Sequence, residues 1–418
     1  MSLTTKDRAI LRDAMKRYME IATSPIQERK RKVWLSHNSR RDSEEIPILA
    51  GFGMHNVWCR EYFSDAHMFC ESEWARHWER HFKMSELQFH VGDDHIQEPW
   101  ISVHAAYKQN CWGPHAWGFD YKSDHKPSEG GAYRIKPAMT LDDLDKVKVV
   151  PHEIDEEKTK EAYEKIKDIA GDIIPVGIYR GPAFASFNAD ISTTIARLLG
   201  LEEVMEAMIE DPDRLHMLLA KMRDGILAAQ DAAEAAGDYT PLCHNTQGMP
   251  YVEGLAMPAW NAPSCRRNKL VYFCAAQEMA VIGPAQHEEF MFQYQRPISD
   301  KFGAMHYGCC EDLTDKMDSL RKFKTLYSIA VAPLANLRKC AERIGRDYVL
   351  SWRPNPSDVS LGVYDHARQR KILEEGFEAA KGSRVHLNLK DVETVTGDVD
   401  RLRRWVALVR DVIACRKG

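Results

Sequence analysis

No stretch of this chain is apolar over the roughly 20 residues that a helix needs to cross a bilayer, so a membrane-spanning protein is not expected. An excess of positive charge is also missing. Lys and Arg number 57 against 62 Asp and Glu, a formal net charge of -5 spread along the chain, and no basic stripe tracks phosphates, so nucleic acid is not an expected partner. The opening residues MSLTTKDRAILRDAMKRYMEI mix charges into an amphipathic pattern and lack the apolar core of a secretory leader. Ten cysteines in 418 residues without such a leader read as reduced thiols or metal ligands rather than a disulfide framework, and a cytoplasmic location is expected. Gly51-Phe-Gly53 has no third glycine at the spacing a dinucleotide loop needs.

What the chain does have is 44% hydrophobic residues over a length that buries a large core. Residues 1–45 read as an N-terminal helical extension whose basic run Glu28-Arg-Lys-Arg-Lys32 suits a solvated face, and residues 46–418 as the main body. In the first part of that body Trp58, Trp74, Trp78, Trp100, Trp112 and Trp117 sit among His77, His81, His90, His95, His104 and His115. Six of the 10 tryptophans therefore fall in one stretch, where aromatic and His-lined surfaces either pack or orient a small ligand. Alternation of short apolar runs and helical segments follows. Ile173–Tyr179 ends at Gly181-Pro182, Ala304-Met-His306 ends at a Cys-rich turn, and Tyr327–Val331, Tyr348–Ser351 and Val385–Leu389 are three further strands. Repeated β/α units of this length predict a parallel sheet covered by helices, as a barrel or a doubly wound sheet.

The block GPAFASFNADISTTIARLLGLEEVMEAMIEDPDRLHMLLAKMRDGILAAQDAAEAAG, from Gly181 to Gly237, is followed in order by IGPAQHEEFMFQYQRPISDKFG, AMHYGCCEDL and LANLRKCAERIGRDYVLSWRPNPSDV. Over about residues 171 to 360 this succession resembles the uroporphyrinogen decarboxylase superfamily. The resemblance implies an α/β fold, a (β/α)8 TIM barrel with an N-terminal helical elaboration, and a site at the C-terminal ends of the strands. That superfamily contains cofactor-free decarboxylases and zinc-dependent methyltransferases that work with a corrinoid protein. Its decarboxylases carry an arginine-rich signature near the N-terminus. The corresponding stretch here, IPILAGFGMHNVWCREYF, holds only Arg60, which turns the expectation toward the methyltransferase side.

On that resemblance His306, Cys309 and Cys310 are the expected metal ligands, because zinc ionises a thiol outright and keeps it nucleophilic. The spacing here is His-x-x-Cys-Cys, with Gly308 where the family places its cysteine, and the segment Ser351–Pro356 that matches the family's second cysteine contains none. A third ligand could come from His244, Cys243, Glu278 or Glu311. Asp93, Asp94 and His95 are candidate acid and base groups. His104, His115, Trp117 and His244 are candidate substrate-binding residues, and Arg353 with Asn355 could hold a substrate anion. Asp391 and Glu393 read as a solvated loop.

The leading expectation is a zinc-dependent methyltransferase acting on a small molecule, with a corrinoid brought by a separate protein, since no cobalamin-binding segment is apparent; a homodimer is compatible with it. The alternative is a cofactor-independent decarboxylase or lyase acting on a small organic acid through Asp93 or Asp94. A non-catalytic protein that sequesters a ligand in its Trp/His-rich segment ranks third.

Overall fold

The computed structural model describes residues 3–41, 45–52, 61–120, 122–123, 135–242, 247–360 and 362–416. Ten strands run in chain order: β1 Ile48–Phe52, β2 Ile101–His104, β3 Lys122–Ser123, β4 Ile135–Lys136, β5 Val176–Tyr179, β6 Val271–Cys274, β7 Ala304–Tyr307, β8 Leu326–Val331, β9 Val349–Trp352 and β10 Arg384–Val392. The short β3 and β4 pair antiparallel, while the other eight pair only in parallel. Six of them form one ladder in the order β1-β10-β9-β8-β7-β6, and β2 pairs with β5 in another. Neighbours in the large ladder are neighbours in sequence, and the first strand joins the last. That is the order of an arc of a barrel; a doubly wound sheet reverses at a switch point.

The described ladders do not close the eight parallel strands into the expected complete ring, and the two seams show why. Beside β1, the place of an edge partner is taken by residues 93–95. The Asp94 amide donates to the Ile48 carbonyl at 2.7 Å, while the Asp94 and Asp93 carboxylates accept from the Ile48 and Ala50 amides at 2.8 Å each. Between β5 and β6 the chain passes through the helices Ser192–Leu199, Leu201–Glu210 and Pro212–Ala235 and then, over residues 247–266, a mostly irregular segment. Its Gly248 lies so close to the sheet that a Cβ there would stand 2.7 Å from the His306 Cβ and from the Tyr327 hydroxyl, and its Met249 carbonyl accepts from that hydroxyl at 3.2 Å.

Alternation along the strands divides the large ladder into two faces. Tyr272, Cys274, Met305, Tyr307, Ile329, Val331, Leu350, Trp352, Leu387 and Leu389 join the main hydrophobic core, which also takes in helices such as Pro212–Ala235 and Asp400–Cys415. The intervening positions carry polar groups that are nonetheless buried: His306, Ser328, Ser351, His386 and Asn388. A buried polar face needs internal partners, and the site described below is built from them.

The N-terminal helices Thr5–Ala22 and Pro25–Asn38 pack into the body. Thr4 caps the first through the Asp7 amide, and its apolar stripe, Leu11, Met15 and Tyr18, meets Phe82, Ile166 and Ile169 in a second core. From the second helix Trp34 and His37 reach the polar face of the sheet, where the His37 Nε2 lies 3.2 Å from the His386 Nδ1. No helix among the described residues is long and apolar enough to cross a membrane.

Candidate active site

Strand β7 ends in His306-Tyr307-Gly308 and turns into Cys309-Cys310-Glu311. The turn demands glycine at 308. Its φ is +103°, and an added Cβ would meet Leu313 at 2.8 Å and Ala330 at 3.0 Å. A cysteine cannot occupy that position without strain. Glu311, 1% exposed, fastens the turn: its carboxylate accepts from the Cys309 amide at 2.8 Å and the Ala276 amide at 2.9 Å, tying the ends of β7 and β6 together.

Donors converge on the Cys309 sulfur. Lys390 Nζ, from β10, lies 3.2 Å away, Gln247 Nε2 3.2 Å, and the Cys310 Sγ 3.5 Å. Hydrogen bonding from the Cys310 thiol is the largest influence on the Cys309 thiol, and burial opposes it. Lys390, Arg353 and Gln247 add to the pull, so that its pKa is held below the ordinary thiol value and the thiolate form is favoured. The same hydrogen bond, with burial and the Cys309 charge, pushes the Cys310 thiol upward. Burial and Arg353 work against the Lys390 ammonium, yet the two sulfurs and Asp391, 2.9 Å away, carry its pKa above the ordinary lysine value. Phe273 and Ala275 with the flanking Phe187 form an apolar wall against Cys309.

Behind the thiolate sits Arg353, 1% exposed, just past the end of β9. Among the described residues no carboxylate pairs with it. It donates instead to the Cys309 carbonyl, to the Gly308 carbonyl at 3.4 Å, and to the His306 Nε2 at 3.2 Å. Its Nε is buried without a partner. The His306 Nδ1 lies 2.9 Å from the Ser328 hydroxyl, so both ring nitrogens are engaged. Burial first, then Arg353 and Lys390, hold this imidazole well below its usual pKa, hence neutral. Arg353 thus braces His306, Gly308 and Cys309 at and just past the β7 end rather than presenting a fork to a substrate anion. Asn355 is exposed, and its side-chain oxygen accepts from the Ser357 amide at 3.0 Å, a local turn.

The zinc expectation can be tested against this geometry. Two thiolates on one zinc stand about 3.8 Å apart when Zn–S is ≈ 2.3 Å, and the observed 3.5 Å is close to that. His306 does not complete the set: its Nε2 faces a guanidinium and its Nδ1 a hydroxyl, and neither offers a lone pair to a metal in this arrangement. No group of three His, Cys, Asp or Glu among the described residues is placed to hold a metal ion. Of the other sequence candidates, Glu278 accepts from the Ser192 hydroxyl at 2.7 Å, Glu311 accepts from the Cys309 and Ala276 amides, and His244 and Cys243 lie outside the described residues. In this arrangement the trio His306, Cys309 and Cys310 therefore does not fit a resident zinc ion.

The remaining candidates are scattered. Asp93 is fully buried and accepts from the Ala50 amide, the Gln88 amide group and the His95 backbone amide; burial raises its pKa against those bonds. Asp94 holds the Ile48 amide and pairs with Arg410 at 3.2 Å. Both aspartates are spent on the edge of β1, and the His95 side chain is exposed beside them. His104 ends β2 with its ring against Tyr179, centroids 5.1 Å apart. His115 is half-buried, 3.9 Å from Asp120, and Trp117 is a core residue packed edge-on against Phe184.

Sequence reasoning missed Lys390, Gln247, Glu311 as a brace, and the His37 and His386 pair. For Lys390 a signal existed: His386, Asn388 and Lys390 alternate along β10, so the lysine continues the polar face. Gln247 lies in an irregular segment and carried none.

No known family profile matches this chain, and no curated protein does. Among solved structures, a methyltransferase from Methanosarcina mazei is similar, with a TM-score of 0.49 and 12% identity over 90% of this chain and 97% of that one.

Proposed function

We propose that this chain is a methyltransferase acting on a small molecule, with the Cys309 thiolate as the base that activates the methyl acceptor. The observation that carries the reading is the convergence of Lys390, Gln247 and Cys310 on one sulfur at the end of a barrel-type strand. The choice of methyl transfer rests on the resemblance of residues 171 to 360. An acceptor thiol bound beside Cys309 gives its proton to the Cys309 sulfur. The acceptor's sulfur then attacks the methyl carbon of the donor, and the bond to the donor breaks with its electron pair remaining on the donor. Lys390 balances the negative charge on whichever sulfur holds it, and Phe273, Ala275 and Phe187 line one side of Cys309. The proposed donor is a methylated corrinoid brought by a separate protein, on the resemblance alone.

Asp93 and Asp94 support the β1 edge, so neither aspartate of the lyase alternative stands beside Cys309. The test incubates the reduced full chain with methylcobalamin as surrogate donor and a small thiol as acceptor, following loss of the cobalt–carbon absorbance. Demethylation that needs both acceptor and Cys309 is the expected result. No acceleration across thiol, amine and hydroxyl acceptors would sink the reading. Elemental analysis of the same preparation settles the metal: about one zinc per chain, lost on replacing Cys309 and Cys310, would restore zinc to the site and displace the general-base step.

A further inference from the structure

Cys309 and Cys310 are adjacent in sequence, one buried and one exposed, with their sulfurs 3.5 Å apart. The buried sulfur takes hydrogen bonds from Lys390 and Gln247, and Lys390 Nζ also stands 3.7 Å from the exposed one. Methyl transfer as proposed above uses a single sulfur and gives Cys310 no step of its own. A thiol beside an ammonium, with a second thiol within reach, is the arrangement in which a cysteine is oxidised and then resolved.

We propose that this pair is a modification site for two-electron oxidants of the hydroperoxide class, closing to a Cys309–Cys310 disulfide that silences the site. In the first step the Cys309 sulfur attacks one oxygen of hydrogen peroxide. The S–O bond forms, the O–O bond breaks, and the departing hydroxide leaves as water, with Cys309 now a sulfenic acid. In the second step the Cys310 sulfur attacks the Cys309 sulfur. The S–S bond forms, the S–O bond breaks, and the leaving hydroxide takes the Cys310 proton as a second water. The sum is two thiols and one peroxide to one disulfide and two waters.

Lys390 assists at both stages, holding the attacking thiolate and then the departing oxygen within reach of an ammonium. The ring joining neighbouring residues is tight, so the disulfide stores strain and is readily reduced by a dithiol, which makes the modification reversible. The exposed position of Cys310 gives both oxidant and reductant access. Of the remaining described cysteines, Cys70, Cys111, Cys274 and Cys340 are buried and Cys265 is half-buried, and burial raises each of their pKa values, while Cys415 is exposed.

The inference shares Cys309 with the proposed methyl transfer but is tested without it. The reduced full chain is treated with stoichiometric hydrogen peroxide, digested under acid and analysed by mass, with dimedone present to trap any sulfenic acid. In the unaltered protein the peptide spanning Cys309 and Cys310 is expected to lose two hydrogens, to carry no dimedone, and to return to its starting mass with dithiothreitol. In Cys310→Ser the disulfide cannot form, and a dimedone adduct on Cys309 is expected instead. Lys390→Met should slow the reaction at neutral pH by about tenfold in either background, through loss of thiolate.

Peptides left unchanged by peroxide, or oxidation at other cysteines first, would overturn the proposal. Should Cys310→Ser misfold, the same comparison runs on unaltered protein with peroxide added before or after iodoacetamide; labelling of both sulfurs after peroxide would equally overturn it. Because no methyl donor is present, failure of methyl transfer leaves these outcomes untouched.

Discussion

Along the helix Glu73–Val91, Trp74 meets Trp78, Trp78 meets His81 and Phe82, and Phe82 meets Tyr18 of the first helix, with ring centroids 5.4 to 6.4 Å apart. At the ends of β7, β9 and β10 the same kind of inventory, a few polar side chains among aromatics, is arranged otherwise: an ammonium, an amide, a thiol and a guanidinium all address one turn. The first region is richer in residues associated with binding and the second is poorer. What separates them is direction. Rings on helix faces satisfy one another by packing, whereas alternate residues of neighbouring parallel strands point their polar ends to a shared interior. Reactive groups collect where the scaffold aims them, not where composition concentrates them.

The comparison breaks most visibly through Cys309. Cys309→Ser keeps the volume and removes the acidic sulfur, and methyl transfer is expected to fall by about 10²–10⁴ with an unchanged unfolding transition. The counterpart on the other side is Trp117→Ala, which empties a fully buried site in the main core. It should cost about 3–5 kcal/mol in urea unfolding while the Cys309 alkylation rate of the folded fraction stays the same. A catalytic loss in folded Trp117→Ala protein, or a stability loss in Cys309→Ser, would erase the distinction.

Asp93→Asn sharpens it at the boundary between scaffold and site. Asp93 accepts from the Ala50 amide, Gln88 and the His95 amide at the free edge of β1, and an amide side chain can satisfy only part of that set. The expected effect is a stability loss of about 1–3 kcal/mol without a change in turnover of the folded enzyme. A turnover loss larger than the stability loss would return Asp93 to the chemistry.

The strands were legible because their apolar runs and breakers sit where parallel β/α units require them: Tyr327–Val331 and Val385–Leu389 lie within β8 and β10. The turn after β7 was legible as a reactive place, since His and two Cys at a strand end are unusual together. What they do there was not, because the partner of His306 is Arg353, 47 residues away, and that of Cys309 is Lys390, 81 away. The seams were hidden for a different reason. Nothing in Gly-Asp-Asp-His announces that two aspartates will stand in for a strand along β1. Arg353 was read as an anion-binding group because a sequence shows its charge but not the two carbonyls it braces.

Lys390→Met tests the electrostatic half of the site. With the ammonium gone, Cys309 keeps the Cys310 and Gln247 hydrogen bonds and loses one of the charges that lower its pKa. The rate of Cys309 alkylation rises with pH as the thiolate forms. Its midpoint, below the ordinary thiol value in the unaltered protein, should move up toward that value, lowering the rate at neutral pH by about tenfold. An unmoved midpoint would assign the activation to Cys310 alone.

The smallest effect lies on the polar face away from the thiol, where His37 meets His386 and burial drives the His37 pKa down to about 3. A histidine kept neutral in the fold binds its proton only in the unfolded chain between that value and the ordinary imidazole value of 6.5. Its contribution is therefore complete above 6.5 and is lost as pH falls toward 3. Half a unit below 6.5 the loss from this one ring is about 0.8 kcal/mol. His37→Asn should flatten the fall of urea stability between pH 8 and pH 6 by that amount, leaving the Cys309 alkylation profile in place. An unchanged slope would mean that His37 gains its proton inside the fold, and that this end of the polar face admits water. The contrast between a sealed scaffold end and an open reactive end would then have to be redrawn.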